Sequence, residues 1–244
     1  MVEMLAVTMA AFLLGGILKG EIGAGTPVVV IPLMSIYFDV PYAVAVFALP
    51  GLLSNIWQGW QFRALLQDRP FLIRLALGSA VGAAVGTVIL ASLPSETLSI
   101  VVGLLALLYV VFRLAKPDWQ LGMGLARRIV LPVGVTAGIL QGAAGISAPV
   151  SITFLHALNL GRERFIATIS VLFAAMAVVQ VPMLGALGVL DGPRLLVSIA
   201  ALVPLFAGMP IGAWLVTRVG PKLFDRLIML LLAVIAVRLI GEAL

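Results

Sequence analysis

Residues 16–28, GILKGEIGAGTPV, and residues 138–150, GILQGAAGISAPV, are two copies of one pattern and decide the fold of this chain. The copies are 122 residues apart, which is half of the 244-residue chain. Each copy interrupts an apolar stretch with glycines and resumes it at a proline, Pro27 in the first and Pro149 in the second. Matched Gly/Pro interruptions in the two halves of an apolar chain are the best sequence indication of a binding site in a transporter.

The composition is that of a membrane protein. The chain is 63% hydrophobic and 10% charged, with a mean hydropathy of +1.23, whereas a soluble domain carries roughly 25% charged residues. Several apolar stretches reach the length of about 20 residues that crosses a bilayer. The first residues lack a basic segment, so no cleaved signal peptide is expected. We therefore predict an all-α polytopic membrane protein with almost no soluble part.

Both halves are predicted to follow one order, in which two apolar arms flank the Gly/Pro break and three spans follow. The arms are predicted at residues 5–18, 27–38, 129–140 and 149–158, and the spans at 41–62, 71–93, 97–114, 165–187, 195–216 and 223–240. Asp68 and Asp191 precede two of the spans and indicate helix starts. The division is a first transmembrane repeat at 1–115, a cytoplasmic linker at 116–128 and a second transmembrane repeat at 129–244.

The predicted arms are shorter than the spans. With about 12–15 residues, or roughly 18–22 Å of helix, an arm is shorter than the approximately 30 Å hydrocarbon core. Each pair of arms is therefore either a re-entrant hairpin or one broken spanning helix. With hairpins, twelve of the fifteen Lys and Arg residues fall on one side, and only Arg194 and Arg238 on the other. With single crossings this asymmetry largely disappears.

The positive-inside rule favours the hairpins. We therefore predict two inverted repeats, each a broken or re-entrant helical hairpin plus three transmembrane helices. Both termini are expected on the extracytoplasmic side of the cell (inner) membrane. Hairpins that enter from opposite faces bring their tips together near the midplane, which is a common way to build an alternating-access site.

Each tip is predicted to bind an anion at the start of its second arm. Thr26 and Ser147 lie just before a helix that begins at a proline, where their hydroxyls are expected to cap the helix. A helix N-terminus presents unpaired N–H groups and a partial positive charge, which suit an anion. Gly23, Gly25 and Gly145 would let the backbone approach this ligand closely. The alternative is that these glycines only permit tight hairpin packing.

Lys19 and Glu21 are the only charged residues predicted to lie deep in the membrane. Intramembrane ionisable groups are costly and are functional candidates by default. Lys19 could balance a bound anion, and Glu21 could carry a coupling proton. The alternative is a structural ion pair between the two. In the second copy, Gln141 occupies the position of Lys19 and offers a neutral donor.

Matched amides follow in the next span of each half. Gln58 and Gln180 share the 122-residue offset, and Asn55 lies three residues before Gln58, on the same helical face. An amide in hydrocarbon must find a partner, so these side chains face either a cavity or a neighbouring helix. Small-residue ridges at Gly78, Gly82, Gly86, Gly208 and Gly212 suit close helix packing, either within the chain or across a homodimer.

The tip pattern in this context resembles the TauE/SafE sulfite exporter family, whose members carry a Gly-rich stretch and a proline near the start of each of two repeats. The residues that match are Gly15, Gly16, Gly20, Gly23, Ala24, Gly25, Pro27, Pro32, Gly138, Gly142, Gly145 and Pro149. The resemblance covers essentially the whole chain. It departs where consecutive glycines are usual: the first tip has Gly-Ala-Gly, and the second has Ile146-Ser147. The resemblance implies outward transport of sulfite or of sulfonates.

The predicted function is a secondary transporter of a small anion, with the anion charge on the two helix ends and Lys19. Alternatives are a passive small-anion channel or a transporter of another small organic anion. An enzyme is poorly supported, because the chain has one histidine, no cysteine and no H-E-x-x-H motif. No cofactor, metal or nucleic acid is expected, and no nucleotide-binding motif is present. The substrate-binding candidates are Lys19, Gly23, Gly25, Thr26, Asn55, Gln58, Gln141, Gly145, Ser147 and Gln180.

Overall fold

The structure is a computed structural model that describes residues 2–115, 120–219 and 221–243, and these residues are almost entirely helical. The helices are α1 (Val2–Ile22), α2 (Thr26–Ser35), α3 (Val40–Gln61), α4 (Arg69–Ser92), α5 (Ser95–Ala115), α6 (Met123–Ala144), α7 (Ala148–Ala157), α8 (Arg162–Ala186), α9 (Gly192–Val219) and α10 (Pro221–Ala243). A turn of 3₁₀ helix, Arg63–Leu65, follows α3. The described residues contain no strand, and the all-α prediction is confirmed.

Seven of the described helices are long and apolar enough to cross a membrane: α1, α3, α4, α5, α6, α8 and α9. Helices α2 and α7 have ten residues each, or about 15 Å, which is roughly half of the hydrocarbon core. Two short helices among long apolar ones are what the sequence predicts for the second arms. The chain is therefore a multi-pass membrane protein.

The first arms are longer than predicted. Helix α1 has 21 residues and continues through Lys19 to Ile22, and α6 has 22 residues and continues to Ala144. The helices pass through their glycines because those glycines are buried against neighbouring helices, and this packing outweighs low helix propensity. The predicted linker at 116–128 is also partly helical, because α6 begins at Met123. Residues 116–119 of the linker lie outside the described residues.

The chain reverses at the first Gly/Pro break. Gly23 has a φ of 77° and Gly25 a φ of 96°, a left-handed conformation that glycine adopts without steric cost. After this turn, α2 folds back along α1, since a Cβ on Gly15 would touch the side chains of Thr26 and Val30. The first two arms therefore form a hairpin within the structure.

Helices α1 and α3 run in the same direction. The rings of Phe12 and Phe47 stack with centroids 6.3 Å apart. Further towards the C-terminal end of both helices, Lys19 Nζ lies 2.7 Å from Asn55 Oδ1. These two contacts follow the same order along both helices. Because only residues 36–39 separate α2 from α3, α2 is the segment that runs back between the two parallel helices.

The two halves make equivalent contacts with each other. A Cβ on Gly23 would meet Ile166 of α8, and a Cβ on Gly145 would meet Val44 of α3. These two contacts are related by the 122-residue offset, which takes Gly23 to Gly145 and Val44 to Ile166. Each tip therefore rests on the third helix of the opposite half.

The glycine ridges are used within the chain. Helix α4 packs on α6, where a Cβ on Gly82 would overlap the carbonyl oxygen of Val135. In the equivalent pair, α9 packs on α1, where a Cβ on Gly212 would overlap the carbonyl oxygen of Ile17. Similar contacts occur at Gly16, Gly20, Gly78, Gly86, Gly138, Gly142 and Gly208. These ridges are explained by packing within the chain, and they carry no argument for a homodimer.

Several helix ends meet on one face of the molecule. Arg127 Nε lies 2.7 Å from Asp68 Oδ2, which joins the start of α4 to the first turns of α6. The backbone N–H of Leu121 donates to the carbonyl oxygen of Ala157 at 2.7 Å, which joins the segment before α6 to the end of α7. The hairpin prediction places most of the basic residues on this face.

Candidate functional site

A small buried cavity lies between the first tip, α3, α6 and α8. Its volume is about 20 Å³. Six of the predicted substrate-binding residues line it: Lys19, Gly25, Thr26, Asn55, Gln141 and Gln180. On α3 it is flanked by residues 47–55 and on α8 by residues 173–180, which lie near the middle of both helices. The cavity therefore sits at mid-height of the two central helices.

Lys19 brings a positive charge into this cavity. Its side chain is 2% exposed, and Nζ donates to Asn55 Oδ1 at 2.7 Å. The amide of Asn55 is in turn held by its own Nδ2 donating to the Gly51 carbonyl oxygen at 2.7 Å. This bond directs the amide oxygen of Asn55 towards the ammonium.

The partner of Lys19 is neutral, so its charge is not cancelled locally. Among the described residues Lys19 forms no ion pair. Glu21, the acid considered as its partner, is two residues away on α1 and so projects from a different side of the helix. A buried ammonium with one neutral acceptor has two further donors, and burying its charge without a counter-charge is costly, so an anionic ligand would stabilise it.

The predicted side-chain caps at the tips are wrong. Gly25 is the N-cap of α2 and Thr26 is its first residue; the Thr26 hydroxyl donates to the carbonyl oxygen of Gly15 at 3.2 Å. Ser147 is the N-cap of α7, but its hydroxyl makes no cap bond and donates to Gln141 Oε1 at 3.1 Å. Both hydroxyls have a partner across the hairpin, and this contact replaces the local cap. Pro27 has no N–H, and the N–H of Val28 donates to the carbonyl oxygen of Gly25 at 2.9 Å. In the first turn of α2, the N–H of Thr26 is therefore the one that a ligand in the cavity could use.

Two glutamines complete the polar lining, and each is held by a neighbour. Ser147 engages Oε1 of Gln141, which leaves the amide NH₂ of Gln141 as the group that can serve a ligand. Gln180 Nε2 donates to the carbonyl oxygen of Gly142 at 3.3 Å. The cavity therefore combines an ammonium, an amide donor and a helix N-terminus.

Four predicted substrate-binding residues lie outside the cavity. Gly23 and Gly145 form the turns and pack on α8 and α3, as described above. Gln58 accepts a hydrogen bond from Ser170 at 3.5 Å between α3 and α8, and Ser147 acts on Gln141. The second tip thus reaches the cavity only through Gln141, and the two tips contribute unequally. Gly23 rests instead on Ile166 near the start of α8, and Gly145 on Val44 near the start of α3.

Glu21, the predicted proton carrier, does not line the cavity either. Its side chain is 8% exposed, and its backbone carbonyl oxygen accepts a hydrogen bond from Arg162 Nη2 at 2.9 Å. The carbonyl oxygen of Gly20 accepts from the same nitrogen at 3.3 Å. Arg162 begins α8, so it joins the second half of the chain to the end of α1.

An apolar wall, none of whose residues was predicted from the sequence, completes the cavity. Phe47, Phe173 and Met176 line it beside the polar groups. Residues 173, 176 and 177 precede Gln180 by seven, four and three positions, so they share its helical face. That spacing could have identified them once Gln180 was a candidate.

The cavity is too small for the expected substrates as it stands. A volume of about 20 Å³ accommodates roughly one water molecule. A sulfur oxyanion has four or more heavy atoms, so it enters only if the lining side chains or the tip move apart. No group of three His, Cys, Asp or Glu residues that could hold a metal occurs in the described part of the chain.

A chain of long apolar helices around a buried, charged cavity belongs to the class of multi-pass membrane transport proteins. Residues 8–239 match the family described as sulfite exporter TauE/SafE, and the chain belongs to this family. The family resemblance of the sequence is thereby confirmed, over nearly the whole chain. No curated protein and no solved structure matches it. Membership in a transporter family agrees with the prediction that the chain is a membrane anion transporter and not an enzyme.

Proposed function

We propose that this chain is a secondary transporter that exports small sulfur-containing anions, such as sulfite or a sulfonate, and that the central cavity binds them. The observation that carries this proposal is the Lys19 ammonium, buried at the cavity and hydrogen-bonded to a neutral amide. The amide NH₂ of Gln141 and the N-terminus of α2 add donors that favour the same charge. Together these groups would replace the hydration shell of an oxyanion.

In the proposed mechanism the two halves are inverted repeats that rock about the cavity. The equivalent tip contacts and the parallel directions of α1 and α3 support this proposal. The two tips would be the moving parts, because the cavity must widen to admit an oxyanion. The basic face would be cytoplasmic, with both termini on the other side. Glu21 remains our candidate for coupling transport to a proton, acting at the end of α1 and not in the cavity.

The test is binding of anions to purified wild-type protein and to Lys19→Gln. A ligand at about 100 times its dissociation constant stabilises a protein by roughly 2.7 kcal/mol, which a thermal unfolding experiment detects. We expect sulfite to stabilise the wild type and to lose this effect in Lys19→Gln, because the charge that balances the anion is gone. Glutamine is the residue of the second repeat at this position, so the replacement suits this environment.

Arg69→Gln is the matched control, since it also removes one positive charge but from an exposed position at the start of α4. It should retain the stabilisation by sulfite. Equal stabilisation of Lys19→Gln and wild type would remove Lys19 from the site. The alternative function is a passive channel. Counterflow in vesicles distinguishes the two, because a carrier shows counterflow and a channel does not.

A further inference from the structure

We infer that the cavity selects singly charged anions over doubly charged ones, and that residue 141 determines this selectivity. The inference rests on the proposed function, because it assumes that the cavity binds an anion. It goes further in naming the charge and shape of the ligand: one negative charge on one side and an apolar group on the other, as in an alkylsulfonate. For sulfite itself, it selects the hydrogen sulfite form.

The charge of the cavity supports a single negative charge. Among the described residues, Lys19 is the one charged side chain that lines it. Its hydrogen-bond partner, Asn55, adds none. The N-terminus of α2 contributes a partial positive charge, worth about half an elementary charge for a long helix. A dianion would therefore be buried with one of its charges largely uncompensated, which a low-dielectric site penalises strongly.

The apolar wall supports a substituent that needs no hydrogen bonds. Phe47, Phe173 and Met176 are all buried at the cavity and offer an oxyanion no donor. Sulfate has four oxygens that accept hydrogen bonds, so in this cavity it would bring an oxygen against the wall and leave it unsatisfied. An alkylsulfonate has three oxygens and a carbon in place of the fourth. Its carbon can rest on the wall.

Residue 141 sets the number of charges because it is the repeat counterpart of Lys19 and lines the same cavity. The 122-residue offset makes Gln141 the counterpart of Lys19, yet both line the same cavity. A fully symmetric sequence would thus put two ammonium groups on one ligand. The chain has a glutamine instead, held through its oxygen by Ser147. The replacement of lysine by glutamine in the second repeat would therefore restrict the ligand to one negative charge.

The experiment compares methanesulfonate with sulfate, using calorimetric titration of the purified full chain in a buffer free of other small anions. For the wild type we expect methanesulfonate to bind at least tenfold more tightly than sulfate. In Gln141→Lys the second ammonium should lower this ratio by at least tenfold. Gln141→Met is the control, because it removes the amide without adding a charge and should leave methanesulfonate the tighter ligand.

The possible outcomes test the anion site, its charge selectivity and the role of residue 141 separately. Binding of neither anion by the wild type overturns the proposed anion site itself. Equal binding of both, or tighter binding of sulfate, overturns the charge selectivity while leaving an anion site in place, and this measurement does not depend on the folding of any variant. A folded Gln141→Lys protein with an unchanged ratio removes residue 141 as the determinant.

Discussion

At the scale of the residue, function in this chain depends on pairs in which one side chain fixes another. Gly51 holds the Asn55 amide, which holds Lys19; Ser147 holds Gln141. Such pairs pre-organise the donors, so that binding does not have to include the entropic cost of ordering these side chains. The residue types were visible in the sequence. The Gly51–Asn55 bond lies within α3, whereas Lys19 and Asn55 come from different helices, and Ser147 lies in a turn whose cap the local signals mispredicted.

Ser147→Ala tests whether positioning of Gln141 matters for binding. The change removes a neutral hydrogen bond, worth about 1 kcal/mol, so we expect about fivefold weaker binding of methanesulfonate. Titration of the purified variant measures this effect. Ser92→Ala is the control, since the Ser92 hydroxyl bonds only within the exposed end of α4 and its loss should leave affinity unchanged. An affinity for Ser147→Ala equal to that of the wild type would contradict the role of this bond.

At the scale of the element, glycines permit two pairs of parallel helices to touch along their backbones. In α4 and α6, and again in α9 and α1, the glycine of one helix faces a carbonyl oxygen of the other. Within a membrane, the hydrophobic effect does not drive helices together, because lipid tails are as apolar as the side chains. Helices therefore associate through such close packing. The ridges were apparent from sequence, but the choice of partner helix is a property of the folded chain.

Gly82→Ala tests the α4–α6 contact. Its Cβ would overlap the carbonyl oxygen of Val135, so the helices must separate, at a cost of about 1–3 kcal/mol for an overpacked site. We expect a lower midpoint of thermal unfolding in detergent. Gly124→Ala is the matched control: it lies in α6, where the new Cβ would meet no described atom within 4 Å beyond its chain neighbours and the backbone of its own helix, and alanine is the better helix former. If Gly82→Ala unfolds at the same temperature as Gly124→Ala, the close contact is not significant for stability.

At the scale of the whole molecule, the hairpin at each break decides on which face every later loop lies. With hairpins, the loop after α3 and the loop after α7 share a face; with single crossings they lie on opposite faces. The observed contact between Arg162 and the end of α1 joins the halves at the face where the first hairpin turns. The orientation of the chain in the bilayer then depends on which face is cytoplasmic, and we propose that it is the basic face.

Cysteine labelling tests this arrangement directly, because the chain has no native cysteine. Gln67→Cys and Glu163→Cys, both exposed, should react with a membrane-impermeant thiol reagent only when the cytoplasmic side is accessible. Ser92→Cys, exposed at the other end of α4, should react from outside. Labelling of positions 67 and 163 from opposite sides would contradict the inverted repeats.

The sequence by itself determined the helices, the two breaks and the residues rich in donors. Hydropathy and Gly/Pro spacing are local properties, and they predicted α2 and α7 within three residues at either end. They underestimated the lengths of α1 and α6. Packing against α9 and α4 stabilises those helices, so they continue past their glycines and, in α1, past Lys19. Only the tertiary structure decided that one cavity forms at the first tip and that Lys19 meets Asn55 there. The physical reason is that both outcomes depend on contacts between residues far apart in the chain, which no local pattern encodes.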